Sequence, residues 1–155
     1  KAYSEKKLHR NFMGYTTTNT RLLLGLGVSS IGDSWTVFAQ NVKVFEDYVQ
    51  MVNDGQLPIV RGHILSDEDL VLRRHILNLM CHFETSWENV VDQSEALYAG
   101  LDRLSEMIKD ELLLLHPFRL EVTEKGRAFV RNICMALDAR LWRKQPESQI
   151  FSQTV

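Results

Sequence analysis

An apolar stripe with helical spacing follows Ser66 and constrains the fold more than any other feature of the sequence. Its members recur mostly at three- and four-residue steps, which places them on one side of a helix: Leu72, Ile76, Leu79, Met80 and Phe83. Ser66 can accept a backbone N–H at the start of this helix, and the acidic residues 67–69 suit the positive end of its dipole. The sequence therefore predicts a helix that begins at Ser66 and buries the stripe.

Three further segments are predicted to form helices. The residues from Val42 to Val52 repeat apolar side chains with helical spacing, and Gly55 suits a left-handed cap at the end of that helix. A second helix is expected from about Glu95 to Lys109. Thr123 caps a third, which ends near Pro146.

The opening of the chain is predicted to be extended or irregular. Residues 9–18 combine aromatic, β-branched and glycine residues, which disfavour a long helix. A short helix is expected from Arg21 to Leu26. Gly25, Gly27 and Gly32 break regular structure there, and they allow the backbone to approach a ligand or another element closely.

A small β hairpin completes the predicted elements, with strands at Leu112–Leu115 and Arg119–Val122 joined near Pro117. The segment from Ile59 to Leu65 is expected to be a short extended connection. The predicted fold class is therefore mainly α with a small β hairpin. An irregular connector, residues 1–41, precedes a winged-helix-like helical domain, residues 42–155.

Charge, cysteine content and hydropathy exclude several classes of protein. Lys plus Arg is 18 and Asp plus Glu is 20, so the net charge of −2 gives no bulk attraction to nucleic acid or anionic membranes. Cys81 and Cys134 lie in separate apolar helical patterns, typical of buried thiols in a reducing, cytoplasmic compartment. Two cysteines do not make a metal site. No apolar run approaches the roughly 20 residues that span a bilayer.

Three short motifs carry weaker signals. Gly25-Leu26-Gly27 does not fit a dinucleotide-binding loop, because the third glycine of that pattern would fall at Ser30. The five histidines are scattered and predict structural roles rather than a metal site. A basic strip near the end of the chain leaves a DNA-binding winged helix open as an alternative: Arg127, Arg131, Arg140, Arg143 and Lys144.

Several segments, taken in order, resemble one enzyme family. Residues 9–17 are similar to the His-Arg-Asn-Phe-Gln-Gly-Tyr-Thr-Thr segment of oxygen-independent coproporphyrinogen III oxidases, and residues 23–31 resemble the family's next segment. Residues 39–41, 57–58 and 61–62 recur in register. Residues 79–83 resemble the family's Leu-Met-Cys-Asn-Phe, and residues 123–127 and 131–135 match as well. The resemblance covers nearly the whole chain.

This resemblance implies a radical S-adenosylmethionine enzyme of heme biosynthesis. In the full enzyme, a partial (βα) barrel carries a Cys-x3-Cys-x2-Cys motif for a four-iron, four-sulfur (4Fe-4S) cluster, which reduces S-adenosylmethionine to a 5′-deoxyadenosyl radical. That radical starts the oxidative decarboxylation of two propionates of coproporphyrinogen III to vinyl groups, which gives protoporphyrinogen IX. The three-cysteine motif is absent from this chain. The chain is therefore expected to be the C-terminal accessory domain, with no cofactor and no oxidase activity of its own.

The resemblance also implies candidate binding residues. Phe12, Met13 and Ile31 stand where the family contributes to a second S-adenosylmethionine site. Met13 replaces the family's glutamine, and a thioether is only a weak hydrogen-bond acceptor. Arg21, Arg61 and Arg73 could pair with substrate propionates, because guanidinium suits carboxylate.

The expected partner is coproporphyrinogen III, reached through the missing barrel, with no nucleic acid and no membrane. The chain begins at Lys1 rather than Met, which suggests a piece of a longer protein. An exposed apolar region is expected around Phe12, Leu22–Leu26 and Ile31, with a tendency to self-associate. Two alternatives stay open: a related radical S-adenosylmethionine protein that handles heme, and a nucleic-acid-binding winged helix.

Overall fold

The computed structural model describes Tyr3 and residues 5–143, and the chain divides into two compact units, Lys1–Leu70 and Val71–Val155. Helix accounts for 41% and strand for 23% of the structure, in three small antiparallel sheets. The mainly α prediction is therefore wrong, and the fold is mixed α and β. Most of the strands that were missed are half-exposed, so they lack the alternation of apolar and polar residues that marks a strand in a sequence.

The first unit opens with a β hairpin. Strands β1 (His9–Asn11) and β2 (Gly14–Thr16) pair antiparallel, with His9 opposite Thr16. The turn between them is closed by the Asn11 side chain, whose Oδ1 accepts the Met13 N–H at 2.9 Å. Part of the connector that was expected to be irregular is therefore regular structure.

A three-stranded sheet forms the body of the first unit. Its strands are β3 (Ile31–Asp33), β4 (Val37–Asn41) and β5 (Ile59–Ile64), in the order β3-β4-β5 and all antiparallel. Helix α1 (Phe45–Asn53) connects β4 to β5. The extended connection expected from Ile59 to Leu65 is thus a strand of this sheet.

The short helix expected from Arg21 to Leu26 is absent. Leu23 instead forms a bridge with Asp33, and the two exchange backbone hydrogen bonds of 2.7 and 2.8 Å. Consecutive leucines are compatible with the residue spacing of a helix and with that of a strand. Pairing with the distant strand β3 stabilises the extended form here. Gly25 makes this approach possible, because a Cβ there would lie 2.9 Å from the backbone of Ile31.

Asn41 holds the glycine-rich loop to the end of β4. It is buried, and its Nδ2 donates hydrogen bonds to the carbonyl oxygens of Gly25 and Gly27, at 3.0 and 2.9 Å. The Gly27 N–H donates to the Tyr48 hydroxyl of α1 at 3.0 Å. Beyond α1, Gly55 has φ of +72°, as expected for a left-handed cap.

Helix α2 (Asp67–His82) confirms the clearest helical prediction. The Ser66 hydroxyl accepts the Asp69 N–H at 3.2 Å, and Asp69 Oδ2 accepts the Ser66 N–H at 2.8 Å, which closes a capping box. The division between the two units falls within α2, after Leu70. Its apolar stripe is buried or half-buried, as predicted.

The second unit packs helices beside a sheet of order β6-β8-β7. The predicted hairpin is present as β7 and β8, and a third strand, β6, pairs with β8. Glu95 to Lys109 forms two helices rather than one. The last helix is likewise divided, and its predicted end at Pro146 lies outside the described residues. The elements in order are β6 (Glu84–Ser86), α3 (Glu95–Asp102), α4 (Ser105–Lys109), β7 (Leu113–His116), β8 (Arg119–Val122), α5 (Val130–Ala136) and α6 (Ala139–Arg143).

Within the described chain, every buried apolar side chain lies in the second unit. The most deeply buried are Leu79, Trp87, Leu97, Leu104, Leu113, Leu120, Ile133 and Leu137. In the first unit, the residues that are buried are polar: Asn41 and Asp69. None of the helices described combines the length and apolarity needed to cross a membrane.

Candidate functional site

One face of the first unit's sheet gathers an aromatic pair and several polar side chains. Phe12, at the turn of the β1–β2 hairpin, packs its ring edge-on against Phe38 of β4, with 5.1 Å between centroids and 87° between planes. Phe12 remains half-exposed, at 51%. The hairpin therefore contributes an accessible aromatic ring to this face of the sheet.

The strand register fixes which other residues share the face. Gln40 lies opposite both Ile31 and Arg61, while Phe38 lies opposite both Asp33 and His63. Residues paired across antiparallel strands, and residues two apart along a strand, point to the same side of a sheet. Two rows across the three strands therefore form one surface, which we call the Phe38 face: Ile31, Gln40 and Arg61 in one row, and Asp33, Phe38 and His63 in the other.

The structure brings together two of the three residues predicted to bind cofactor. Ile31 belongs to the Phe38 face, and Phe12 packs against Phe38 in the adjoining row. Met13 is 88% exposed at the tip of the hairpin, where its backbone rather than its thioether is held. Their role in binding S-adenosylmethionine stays a prediction.

The polar side chains on the Phe38 face differ in the hydrogen bonds and ion pairs that they form within the chain. Asp33 Oδ1 accepts the Trp35 N–H at 2.8 Å, and Gln40 Nε2 donates to the Ser29 carbonyl at 3.3 Å. His63 Nε2 lies 4.0 Å from Asp69 Oδ2. The Arg61 side chain is exposed and forms no hydrogen bond or ion pair with any residue that the structure describes.

Gln40 and His63 were not predicted as site residues from the sequence. A signal was present, because positions 38 and 40 and positions 61 and 63 alternate with the period of a strand. The intervening residues are glycine and alanine, which give no apolar contrast. Only the pairing of β4 with β5 brings the four positions onto one surface.

The described residues do not fit an iron–sulfur cluster. Such clusters are held by three or four cysteine thiolates. Cys81 and Cys134 are both buried and neither forms a disulfide. Among the residues that the structure describes, no group of three or more His, Cys, Asp or Glu side chains could hold a metal ion. No step of a reaction can therefore be assigned to a cluster within this chain.

The basic strip of the second unit is partly neutralised. Arg127 pairs with Glu124 at 3.1 Å and lies over the Phe83 ring. Arg140 and Arg143 have interactions of their own, and Lys144 lies outside the described residues. On the hairpin, Arg119 lies 2.6 Å from both Glu84 and Glu121. Arg131 is exposed, and its side chain has no partner among the residues that the structure describes, so the strip is neutralised only in part.

Comparison with known proteins gives one consistent result. The chain is 36% identical over 99% of its length to the oxygen-independent coproporphyrinogen III oxidase of Escherichia coli K12 and 38% identical to that of Salmonella typhimurium. The solved structure of the Escherichia coli enzyme superposes with a TM-score of 0.83, and the match covers 90% of this chain. The chain is homologous to the C-terminal part of oxygen-independent coproporphyrinogen III oxidases.

The matched oxidases are much longer than this chain. The chain spans 35% of the Escherichia coli and Salmonella proteins and 33% of the solved chain. The oxidase of Pseudomonas aeruginosa PAO1 is 36% identical over 90% of the chain. The solved oxidase from Escherichia coli is a radical S-adenosylmethionine enzyme. No family model matches the sequence.

Proposed function

We propose that this chain is the C-terminal accessory domain of an anaerobic coproporphyrinogen III oxidase. The full enzyme would convert two propionates of coproporphyrinogen III to vinyl groups and so form protoporphyrinogen IX. The observation that carries the proposal is the similarity over 99% of the chain to oxidases of which it spans about a third. The S-adenosylmethionine and the 4Fe-4S cluster of that enzyme would be held by the part that this chain does not match.

The first unit would pack against the cluster-bearing barrel through the connector segment, residues 1–41. Among the described residues of the first unit no apolar side chain is buried, which supports this assignment because such a unit gains stability when further surface covers it. Phe12 and Ile31 would then face the interior of the assembled enzyme, beside its cofactor. A cytoplasmic location, expected because the buried thiols Cys81 and Cys134 form no disulfide, belongs to the same proposal.

A fusion tests the proposal. The N-terminal two-thirds of the Escherichia coli oxidase is joined to this chain, reconstituted with its cluster under anaerobic conditions and supplied with S-adenosylmethionine and coproporphyrinogen III. We expect the fusion to form protoporphyrinogen IX, and neither the truncated Escherichia coli protein nor this chain alone to do so. A folded, cluster-loaded fusion without activity would contradict the proposal, as would vinyl product from this chain alone.

A further inference from the structure

We propose that Arg61 binds a propionate carboxylate of the tetrapyrrole substrate while pyrrole rings pack over the Phe38 face. This inference rests on the proposed function, and it singles out one of the three arginines considered from the sequence. It concerns a substrate-binding residue of the first unit, separate from the cofactor roles expected of Phe12 and Ile31.

The charge of Arg61 is the first argument. Arg61 is exposed, and no carboxylate balances it among the residues that the structure describes. The neighbouring His63 is half-buried rather than exposed, and its Nε2 lies 4.0 Å from Asp69 Oδ2. A planar guanidinium with several donors is the side chain best suited to a carboxylate, and a pair of this kind is strengthened where apolar surface displaces water.

The position of Arg61 is the second argument. Arg61 ends the row that begins at Ile31 and passes through Gln40, so its Cα lies about two strand spacings, or roughly 10 Å, from that of Ile31. The Phe12–Phe38 pair stands beside this row. The face therefore offers apolar and aromatic surface with one unbalanced cation at its rim.

The chemistry of a tetrapyrrole matches this arrangement. Coproporphyrinogen has pyrrole rings at its centre and four propionates around its edge. Rings suit the apolar part of the face, and a flexible propionate can reach a guanidinium at the rim, since binding sites combine mainly apolar walls with a few polar groups that fix orientation.

The other two arginines fit less well. Arg73 lies on α2 and has interactions of its own within the described chain. Arg21 precedes the extended segment that pairs with β3 and lies outside the three strands of the sheet. Only Arg61 combines an unpaired guanidinium with a position on the Phe38 face.

The test compares three variants in the fusion described above. Arg61→Gln removes the charge, Arg61→Lys keeps the charge without the planar fork, and Arg131→Gln removes an exposed arginine of the second unit as a matched control. We expect Arg61→Gln to raise the KM for coproporphyrinogen III about tenfold, with a smaller rise for Arg61→Lys and none for Arg131→Gln. The kcat of Arg61→Gln should fall much less than its KM rises.

Binding measured by calorimetry separates a direct contact from a structural effect. Coproporphyrin III should bind Arg61→Gln about tenfold more weakly, whereas its tetramethyl ester, which carries no charge, should bind the variant and the parent fusion equally. S-adenosylmethionine should also bind both equally. An unchanged KM, an equal loss for the ester, or a loss confined to S-adenosylmethionine would each overturn the inference. An inactive parent fusion would instead overturn the proposed function, and this inference with it.

Discussion

His75 of α2 is held in one protonation state by its neighbours. It is fully buried, with Nε2 at 2.7 Å from the Asp92 carbonyl oxygen and Nδ1 at 2.7 Å from the Thr85 hydroxyl. Because a carbonyl oxygen can only accept, Nε2 carries the hydrogen and Nδ1 accepts from Thr85. Trp87 lies edge-on to the imidazole, at 6.2 Å. The histidines were expected to be structural, and this one joins α2 to the loop before α3.

Acid should destabilise the second unit through this histidine. Burial, with a smaller effect from Arg74, lowers the pKa of His75 from 6.5 to about 4. Between these values the unfolded chain binds a proton that the folded chain does not, so stability is complete above about pH 6.5 and falls as the pH approaches 4. We expect the free energy of unfolding to fall by up to about 3 kcal/mol across this window.

Urea unfolding followed by circular dichroism at several pH values between 7 and 4 measures this effect. His75→Gln is the comparison, because its side chain can still donate to Asp92 but does not titrate. The variant should be less stable at pH 7 and should lose less stability on acidification. Parallel pH profiles for the two proteins would exclude His75 as the cause.

At the scale of elements, the helices and strands predicted correctly from the sequence are those with a clear periodic pattern of apolar residues or a clear turn signal. Helix α2 has a continuous stripe and a capping residue, and β7 and β8 flank a proline turn, so both were predicted. Strands β1 to β4 were not, because their side chains are half-exposed and carry no periodic contrast. The Leu23–Asp33 bridge depends on a partner ten residues away, which no local pattern reveals.

The loop between Leu23 and Ile31 depends on Asn41. Replacing Asn41 with alanine removes both donors to the Gly25 and Gly27 carbonyls and leaves these acceptors partly buried without partners. We expect the change to destabilise the loop by about 2 kcal/mol. Hydrogen exchange of the Gly27 amide, which donates to Tyr48, should accelerate by more than tenfold.

Gln40→Ala is the matched control for this prediction. Gln40 precedes Asn41 on the same strand, but its bond to the Ser29 carbonyl is longer, at 3.3 Å, and exposed. Its removal should change exchange at Gly27 little. If the two variants exchange at the same rate, the Asn41 side chain does not hold the loop.

At the scale of the whole molecule, the two units differ in how far their apolar side chains are buried. The second unit has a buried apolar core, whereas the first exposes an alternating row of leucines: Leu22 at 58%, Leu24 at 71% and Leu26 at 83%. The sequence indicated exposure in this region. It did not indicate that Leu22 and Leu24 flank a residue paired with β3, because that pairing joins Leu23 to Asp33, ten residues away.

The leucine row should make the isolated chain self-associate. We expect light scattering at high protein concentration to give a mass above that of a monomer, because exposed apolar rows of this kind bind one another. The double change Leu24→Ser and Leu26→Ser should lower that mass. Leu114→Ser with Leu115→Ser, which alters two half-exposed leucines of β7, is the matched control and should lower it less. A clean monomer of the unmodified chain would contradict the prediction.

The distribution of tryptophan gives each unit its own optical reporter. Trp35 lies in the β3–β4 turn of the first unit, and Trp87 is buried in the core of the second, next to His75. Indole emission shifts to longer wavelength when water reaches the ring, and a neighbouring imidazolium quenches it. Single-tryptophan versions of the chain would therefore show separately whether a bound partner orders the first unit and whether acid loosens the second.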